Sequence, residues 1–341
     1  MKYKKNDIIL IVAGIAFMLI LIIGLALVVK TRSEREKEKS PQANIEVEEV
    51  DIEKIKELAR IEGIGEGKAQ ILNQLKETAI DSNSVMQAFR EVFKEEVIVY
   101  SKGELKFIPI NPNIKKSEIE AGNVRVNEKG EYEYEEAGTV ISKKGIDVSK
   151  YQGDIDWEKV VADGVSYAFI RAGIRGYGTG TIVPDPTFAQ NIRGATEMGI
   201  KVGPYFYSQA ISEKEAIEEA EFVLNSIKGF NISYPIVIDI EMVGDASARG
   251  DQLSMEERTK IVVAFCEKIK SAGFIPMIYG NSETFTQMLD IEQIKDYERW
   301  FAFYGDSINF PYEFSVWQYT HEGNVDGIQG PTDLNIAFKE W

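Results

Sequence analysis

Pro235-Ile236-Val237-Ile238-Asp239-Ile240-Glu241 is the stretch on which the fold reading turns. A short, bounded run rich in isoleucine and valine reads as a strand buried on both faces, as in a parallel sheet. It finishes with two acids at i and i+2. Extended backbone puts both on one face, with α-carbons about 6–7 Å apart. Inside a barrel, two such carboxylates in dry surroundings cannot both ionise cheaply, so one pKa rises. A neutral acid beside an ionised one suits glycosidic cleavage, where one group protonates the leaving oxygen. The same acids also fit plain loop-starters or helix caps, so the pair alone leaves both readings open.

The flanking sequence alternates strand and helix. Strands are expected at 145–149, 167–172, 201–207, 235–241, 274–279, 299–303, 314–319 and 332–335. Helices are expected through Val161 behind an Asp156 cap, from Phe188 to Met198 with Gly199 beyond, to Ile227, and to Ser271 with Gly273 beyond. Ser212 with Glu215 and Ser254 with Glu257 form capping-box patterns before the last two. Eight strand units over about 200 residues predict an α/β fold with a parallel sheet closed into an irregular TIM-like (β/α) barrel. Such barrels carry their sites where strands run into loops at the C-terminal face. Asp147 and Asp333 therefore join Asp239 and Glu241 as acids able to converge on one cleft.

Composition narrows the chemistry. The 341 residues carry 39 basic and 55 acidic side chains, a net charge of −16, with one Cys and one His. One cysteine forms no intrachain disulfide and no cysteine-based zinc site, and one histidine removes most catalytic zinc. Cys266 reads as a core position and His321 as a surface or structural residue. The acidic surplus opposes a nucleic-acid partner, whose phosphates demand cations. Carboxylates and 36 aromatic residues are instead the material of a sugar-processing site.

Gly145-Ile146-Asp147-Val148-Ser149-Lys150-Tyr151-Gln152-Gly153, followed by Ile155-Asp156-Trp157, resembles the opening of the family 25 glycoside hydrolases, the Chalaropsis-type lysozymes. The same family pattern is met in Phe169-Ile170-Arg171-Ala172-Gly173, Gly203-Pro204-Tyr205-Phe206-Tyr207-Ser208, the Asp239/Glu241 pair, Trp317-Gln318-Tyr319-Thr320 and Gly327 to Asn335. The resemblance covers about 145–338. It implies an N-acetylmuramidase that cuts the β-1,4 bond between N-acetylmuramic acid and N-acetylglucosamine in peptidoglycan, without metal or organic cofactor. It places the acid/base on Glu241, its assisting aspartate on Asp239, and the other active-site aspartates on Asp147 and Asp333. Tyr207 matches an active-site tyrosine. Arg171 and Tyr151 fall within the matching blocks and join it as substrate-binding candidates. Trp317 and Tyr319 are candidates for stacking on sugar faces, although strand aromatics serve as core equally well.

Carboxylate separation distinguishes a nucleophile from an inverting base, and substrate-assisted retention is a third route; the resemblance leans toward the last. A wall-binding barrel without turnover is the alternative function, and the intact Asp239 and Glu241 argue against it. A chitinase-like enzyme also ends its fourth strand in Asp-x-Glu, but Ile236, Val237 and Ile238 stand where that family has further aspartates.

Ahead of the barrel, Ile8 to Val29 is a 22-residue apolar run interrupted only by Gly14 and Gly24. At about 1.5 Å per residue it spans a bilayer core, and reads as an uncleaved anchor within 1–30. Basic residues flank both sides, leaving orientation open; a wall substrate favours an exported C-terminal domain on a single-pass anchor in the cell membrane. Residues 31–50 read as a charged stalk. Residues 51–140 read as a small helical plus β region, a spacer or a docking module for a protein partner, and 141–341 as the catalytic barrel. Within the former, Ile61 to Ala69 resembles a helix-hairpin-helix turn but equally fits a tight turn between packed helices; the net charge of −6 over 45–144 opposes DNA binding.

Overall fold

The computed structural model describes residues 93–101, 104–305, 308 and 310–341. The apolar run 8–29, the stalk, the helical pattern of 51–92 and the 61–69 turn lie outside them. Among the described residues no helix is long and apolar enough to cross a membrane. The chain divides into two compact units, Met1–Phe107 and Ile108–Trp341. The described part of the first holds β1 (Glu96–Ser101), which pairs with β2 (Glu104–Pro109).

The second unit opens with β3 (Val124–Val126), β4 (Tyr132–Glu136) and β5 (Thr139–Val140), a small antiparallel sheet. The barrel strands follow: β6 (Lys143–Val148), β7 (Tyr167–Arg175), β9 (Lys201–Tyr207), β10 (Ile236–Asp239), β11 (Pro276–Gly280), β12 (Glu298–Ala302), β13 (Val316–Gly323) and β14 (Thr332–Ala337). Pairing of β6 with β7 closes the ring. A short strand not foreseen in the sequence, β8 (Ile182–Pro184), folds back antiparallel on the far end of β7.

Helices α1 (Trp157–Ala162), α2 (Phe188–Glu197), α3 (Glu213–Ser226) and α4 (Met255–Ser271) separate the strands up to β11. Their caps largely follow the sequence. Asp156 accepts the Lys159 amide, and Ser254 with Glu257 makes a full capping box. Ser212 accepts the Glu215 amide, but the Glu215 carboxylate turns to the Ile211 amide, so that box is half formed. Beyond β11 the described residues hold one further helical element, a one-turn π-helix at Thr284–Met288.

Two features depart from an all-parallel barrel. First, β14 is antiparallel to both of its neighbours, β13 and β6. Only residues 324–331 join β13 to β14, and a parallel return needs a crossover of about a dozen residues or more. Second, no helix among the described residues covers the outer face of β13 and β14. The segment from Ile108 covers it instead. Tyr132 stacks on Trp317 with centroids 5.1 Å apart and meets Tyr319 edge-on at 5.0 Å, while Tyr134 meets Phe338 at 5.2 Å. Ile114 is buried in the same outer core, and Ser117 N–H donates to the Pro311 carbonyl. The compact unit therefore begins well before the first barrel strand, and 108–140 is part of its wall.

Strand alternation splits the apolar residues into an outer layer under the helices and a plug inside the ring. The plug comprises Tyr167, Phe169, Tyr234, Val237, Met277, Tyr279, Trp300, Ala302, Val316 and Ala337. Phe169 stacks on Trp300 at 4.4 Å and Tyr167 on Tyr234 at 4.7 Å. Gly145 makes room for this plug: a Cβ there would lie 2.1 Å from the Tyr167 ring.

Trp317→Ala is expected to cost about 3–5 kcal/mol of stability, read from the shift of its urea midpoint. Combined with Tyr132→Ala, the total loss should fall short of the two single losses added together, because they break one contact.

Candidate active site

The aromatic plug is a dry floor, and the acids stand on it. Asp147 and Asp239 continue the inward rows of β6 and β10, two residues after Gly145 and Val237, and Asp333 stands on the inward row of β14, two residues before Asn335. Because β14 runs backwards, Asp333 lies near its start rather than its end, directly opposite Asp147 in the pairing register. Strand β10 stops at Asp239, so Glu241 belongs to the following loop rather than to the strand. It nevertheless faces the same group, interacting with Asp239, Asp147 and Asp333.

Asp147 is the most elaborately held. One of its oxygens, Oδ2, accepts the Gln318 amide at 2.8 Å and the Asn335 amide at 2.8 Å. Both amides are oriented from behind. Tyr279 and Tyr304 hydroxyls each donate to Gln318 Oε1 at 2.7 Å, and Trp300 Nε1–H donates to Asn335 Oδ1 at 2.8 Å. An amide whose oxygen is so occupied must turn its N–H toward the carboxylate. Asp239 is the opposite case: it is buried, and its Oδ1 has no hydrogen-bond partner.

Burial lifts all four carboxyl pKa values, those of Asp147 and Asp239 well above the ordinary range. Mutual repulsion adds to this: Asp333 and then Glu241 act on Asp147, Glu241 and then Asp147 on Asp239, and Asp333 on Glu241. Amide bonds to Asp147, Arg171 beside Asp239 and His321 near Asp333 pull the other way. The set therefore shares protons and titrates together. Burial also drives up the hydroxyls of Tyr205, Tyr207, Tyr279 and Tyr304, keeping them neutral.

The binding candidates separate into two groups. Tyr207 pairs with Asp239 in register and lies in the field of Asp239 and Glu241. Arg171 stands on the inward row of β7, held by Asp185 at 2.9 and 2.8 Å, with its guanidinium 5.0 Å from the Tyr151 ring. Tyr151 is 75% exposed, a rim residue. Trp317 and Tyr319 do not join them. They point outward from β13 into the core under Tyr132, and the Trp317 indole N–H is spent on the Phe303 carbonyl at 2.7 Å. The inward residue between them is Gln318. Gln318, Asn335, Tyr279, Tyr304 and Asp185 were not singled out from the sequence; amides on the inward row of an otherwise apolar strand are the signal that marks two of them. The lone histidine, His321, is exposed, with its ring 4.7 Å from Tyr304. Cys266 is fully buried.

The sequence profile of the glycosyl hydrolases family 25 matches residues 146–328. The chain belongs to that family. Among relatives of this family 25 chain, the autolytic lysozyme of Clostridium acetobutylicum is 30% identical over 193 residues, covering 56% of this chain and 55% of that protein. Lysozyme M1 of Streptomyces globisporus is 28% identical over 204 residues, 56% of this chain and 66% of that one. The chain thus spans about half the length of the first of these. Among solved structures, the modular autolysin LytC of Streptococcus pneumoniae, in complex with a synthetic peptidoglycan ligand, superposes with a TM-score of 0.54 at 26% identity, covering 71% of this chain and 56% of that one. A family 25 glycosyl hydrolase from Bacillus anthracis shares the fold, with a TM-score of 0.50 at 23% identity over 63% of this chain and 96% of its own.

The raised carboxyl pKa values have a thermodynamic consequence. A carboxyl whose folded pKa exceeds its unfolded value stabilises the fold below the unfolded pKa, and that contribution is lost as pH rises through the folded value. Asp239→Asn removes one such group. Its Tm should match the wild type near pH 4 and exceed it increasingly as pH rises to 7 and above, followed by calorimetry.

Proposed function

We propose that this family 25 domain is an N-acetylmuramidase acting on peptidoglycan, with Glu241 as proton donor and then general base. The observation that carries the reading is the convergence of four carboxyls, all with raised pKa values, on one aromatic floor. Glu241 is the loop-borne member, partly open to solvent, and so the one able to reach a glycosidic oxygen at the cleft mouth. It gives its proton to that oxygen as the C1–O bond breaks, and the departing N-acetylglucosamine keeps the proton as its new 4-hydroxyl.

Asp239 lies deeper and offers an unpartnered acceptor, Oδ1. That oxygen suits the N–H of the 2-acetamido group on the muramic acid ring. Holding that N–H aims the acetamido oxygen at C1, which favours substrate-assisted retention. The acetamido oxygen bonds to C1 as the leaving sugar departs; water then attacks C1, breaking that bond and passing one of its own protons to the Glu241 carboxylate, which restores the acid. Asp147 and Asp333 hold the pair and the sugar by hydrogen bonds, and Tyr207, Arg171 and Tyr151 line the approach.

The apolar run 8–29 would anchor the enzyme in the cell membrane with this domain on the wall side; the full-length protein should then fractionate with membranes, and a chain lacking residues 1–30 should not. Catalysis has a separate test. Glu241→Gln should lower turnover of purified peptidoglycan by about 10²–10⁴-fold without changing the circular dichroism spectrum. New reducing ends should be muramic acid; glucosamine ends, or undiminished cleavage by the variant, would overturn the assignment.

A further inference from the structure

The loop that carries Glu241 runs from Glu241 to Ser254 without helix or strand. It is closed on itself. Asp251 accepts the Val243 and Gly244 amides at 3.0 and 2.8 Å, and Arg258, at the start of α4, donates to the Gly250 carbonyl at 2.8 Å. A segment tied this way is placed by its outward links, and Arg249 makes several. Its Nη2 donates to Glu215 of α3 at 2.8 Å, and its main-chain N–H donates to the Tyr177 carbonyl at 3.0 Å. Its guanidinium lies against bare backbone: a Cβ on Gly180, which has φ +71°, would be 2.1 Å from Nη1.

The surfaces that receive Arg249 are themselves fixed. Arg175 ends β7, 4% exposed, and its guanidinium donates to Glu219 Oε1 at 2.7 Å, the Gly180 carbonyl at 2.7 Å and the Glu215 carbonyl at 2.9 Å. Glu219, wholly buried, takes the Ser208 hydroxyl on its other oxygen at 2.6 Å. Ser208 N–H in turn donates to the Asp239 carbonyl at 2.9 Å. Glu215, Glu218 and Glu219 share one face of α3 at i, i+3 and i+4 spacing. Arg175 from the end of β7 and Arg249 from the Glu241 loop thus meet on Gly180 and on that acidic face. The site proper uses none of these side chains. The arrangement also explains why Glu215 leaves its capping box unfinished.

We infer that Arg249 is a positioning residue: with Glu215, Arg175, Glu219 and Gly180 it clasps the Glu241 loop to α3 and the β7–β8 turn, setting where the acid stands over Asp239. This rests on the reading of Glu241 as the proton donor. The Arg249–Glu215 pair is only partly buried, so its contribution here is geometric rather than one of stability, and small misplacement of a reacting group costs rate steeply.

The test is steady-state kinetics of the full chain on soluble glycan oligomers of peptidoglycan. Arg249→Ala should lower kcat by about tenfold to hundredfold, leave KM within about twofold and keep a cooperative melt. Arg249→Lys should recover most of the rate, since an ammonium reaches Glu215. Gly180→Ala should reproduce the kcat loss with Arg249 present. An unchanged kcat in Arg249→Ala, or a loss that follows Tm and is not recovered by lysine, overturns the clasp. If Glu241→Gln is inactive while Arg249→Ala is wild type, only the clasp fails; if Glu241→Gln is active, the assignment of the donor fails first.

Discussion

Eight residues between β13 and β14 are too few to carry the chain back across the barrel, and the site depends on that constraint. Strand β14 must return antiparallel. Its beginning therefore lies at the face where the parallel strands end, and Asp333 arrives opposite Asp147. Two residues further on, Asn335 points inward and gives its amide to Asp147. With a helix inserted in that connection, β14 would run parallel and present a different residue to the cleft. The other acids need no such device, since β6 and β10 reach the same face at their ends.

Concentrating acids on a dry floor is costly, and the fold offsets only part of that cost. Asp147 receives two oriented amides and Asp239 the field of Arg171, yet all four carboxyls remain above their ordinary range. The stability lost is matched by protons retained above the ordinary carboxylate range. The tyrosines contribute without adding charge. Burial pushes their hydroxyls up, so Tyr279 and Tyr304 stay neutral donors that orient Gln318.

Much of this was legible in the sequence, because local signals are strong where an element is simple. The continuous apolar strands, the caps at Asp156 and Ser254 and the glycines past α2 and α4 lie where pattern and capping chemistry put them. The four acids could be located as well. Three things were not legible, each for a physical reason. The reversal of β14 depends on a loop length that strand propensity does not register. The covering role of 108–140 depends on contacts with residues far along the chain, such as Tyr132 with Trp317. And on β13 the eye is drawn to Trp317 and Tyr319, whereas with a period of two the site residue is the glutamine between them.

The wall segment ahead of β6 also bears on how the domain is made. Tyr132 and Tyr134 precede their partners Trp317, Tyr319 and Phe338 along the chain, and β6 precedes the strand that seals its open edge. Asp147 and the Asn335 amide that holds it are 188 residues apart. A growing chain can form the β7 to β12 region, but it must carry an unpaired strand edge and uncovered tyrosines until β14 emerges. Contacts of such separation slow folding and expose partly folded species to misassembly. The acidic cluster is accordingly completed last, since a nascent chain short of β14 lacks both Asp333 and the Asn335 amide that holds Asp147.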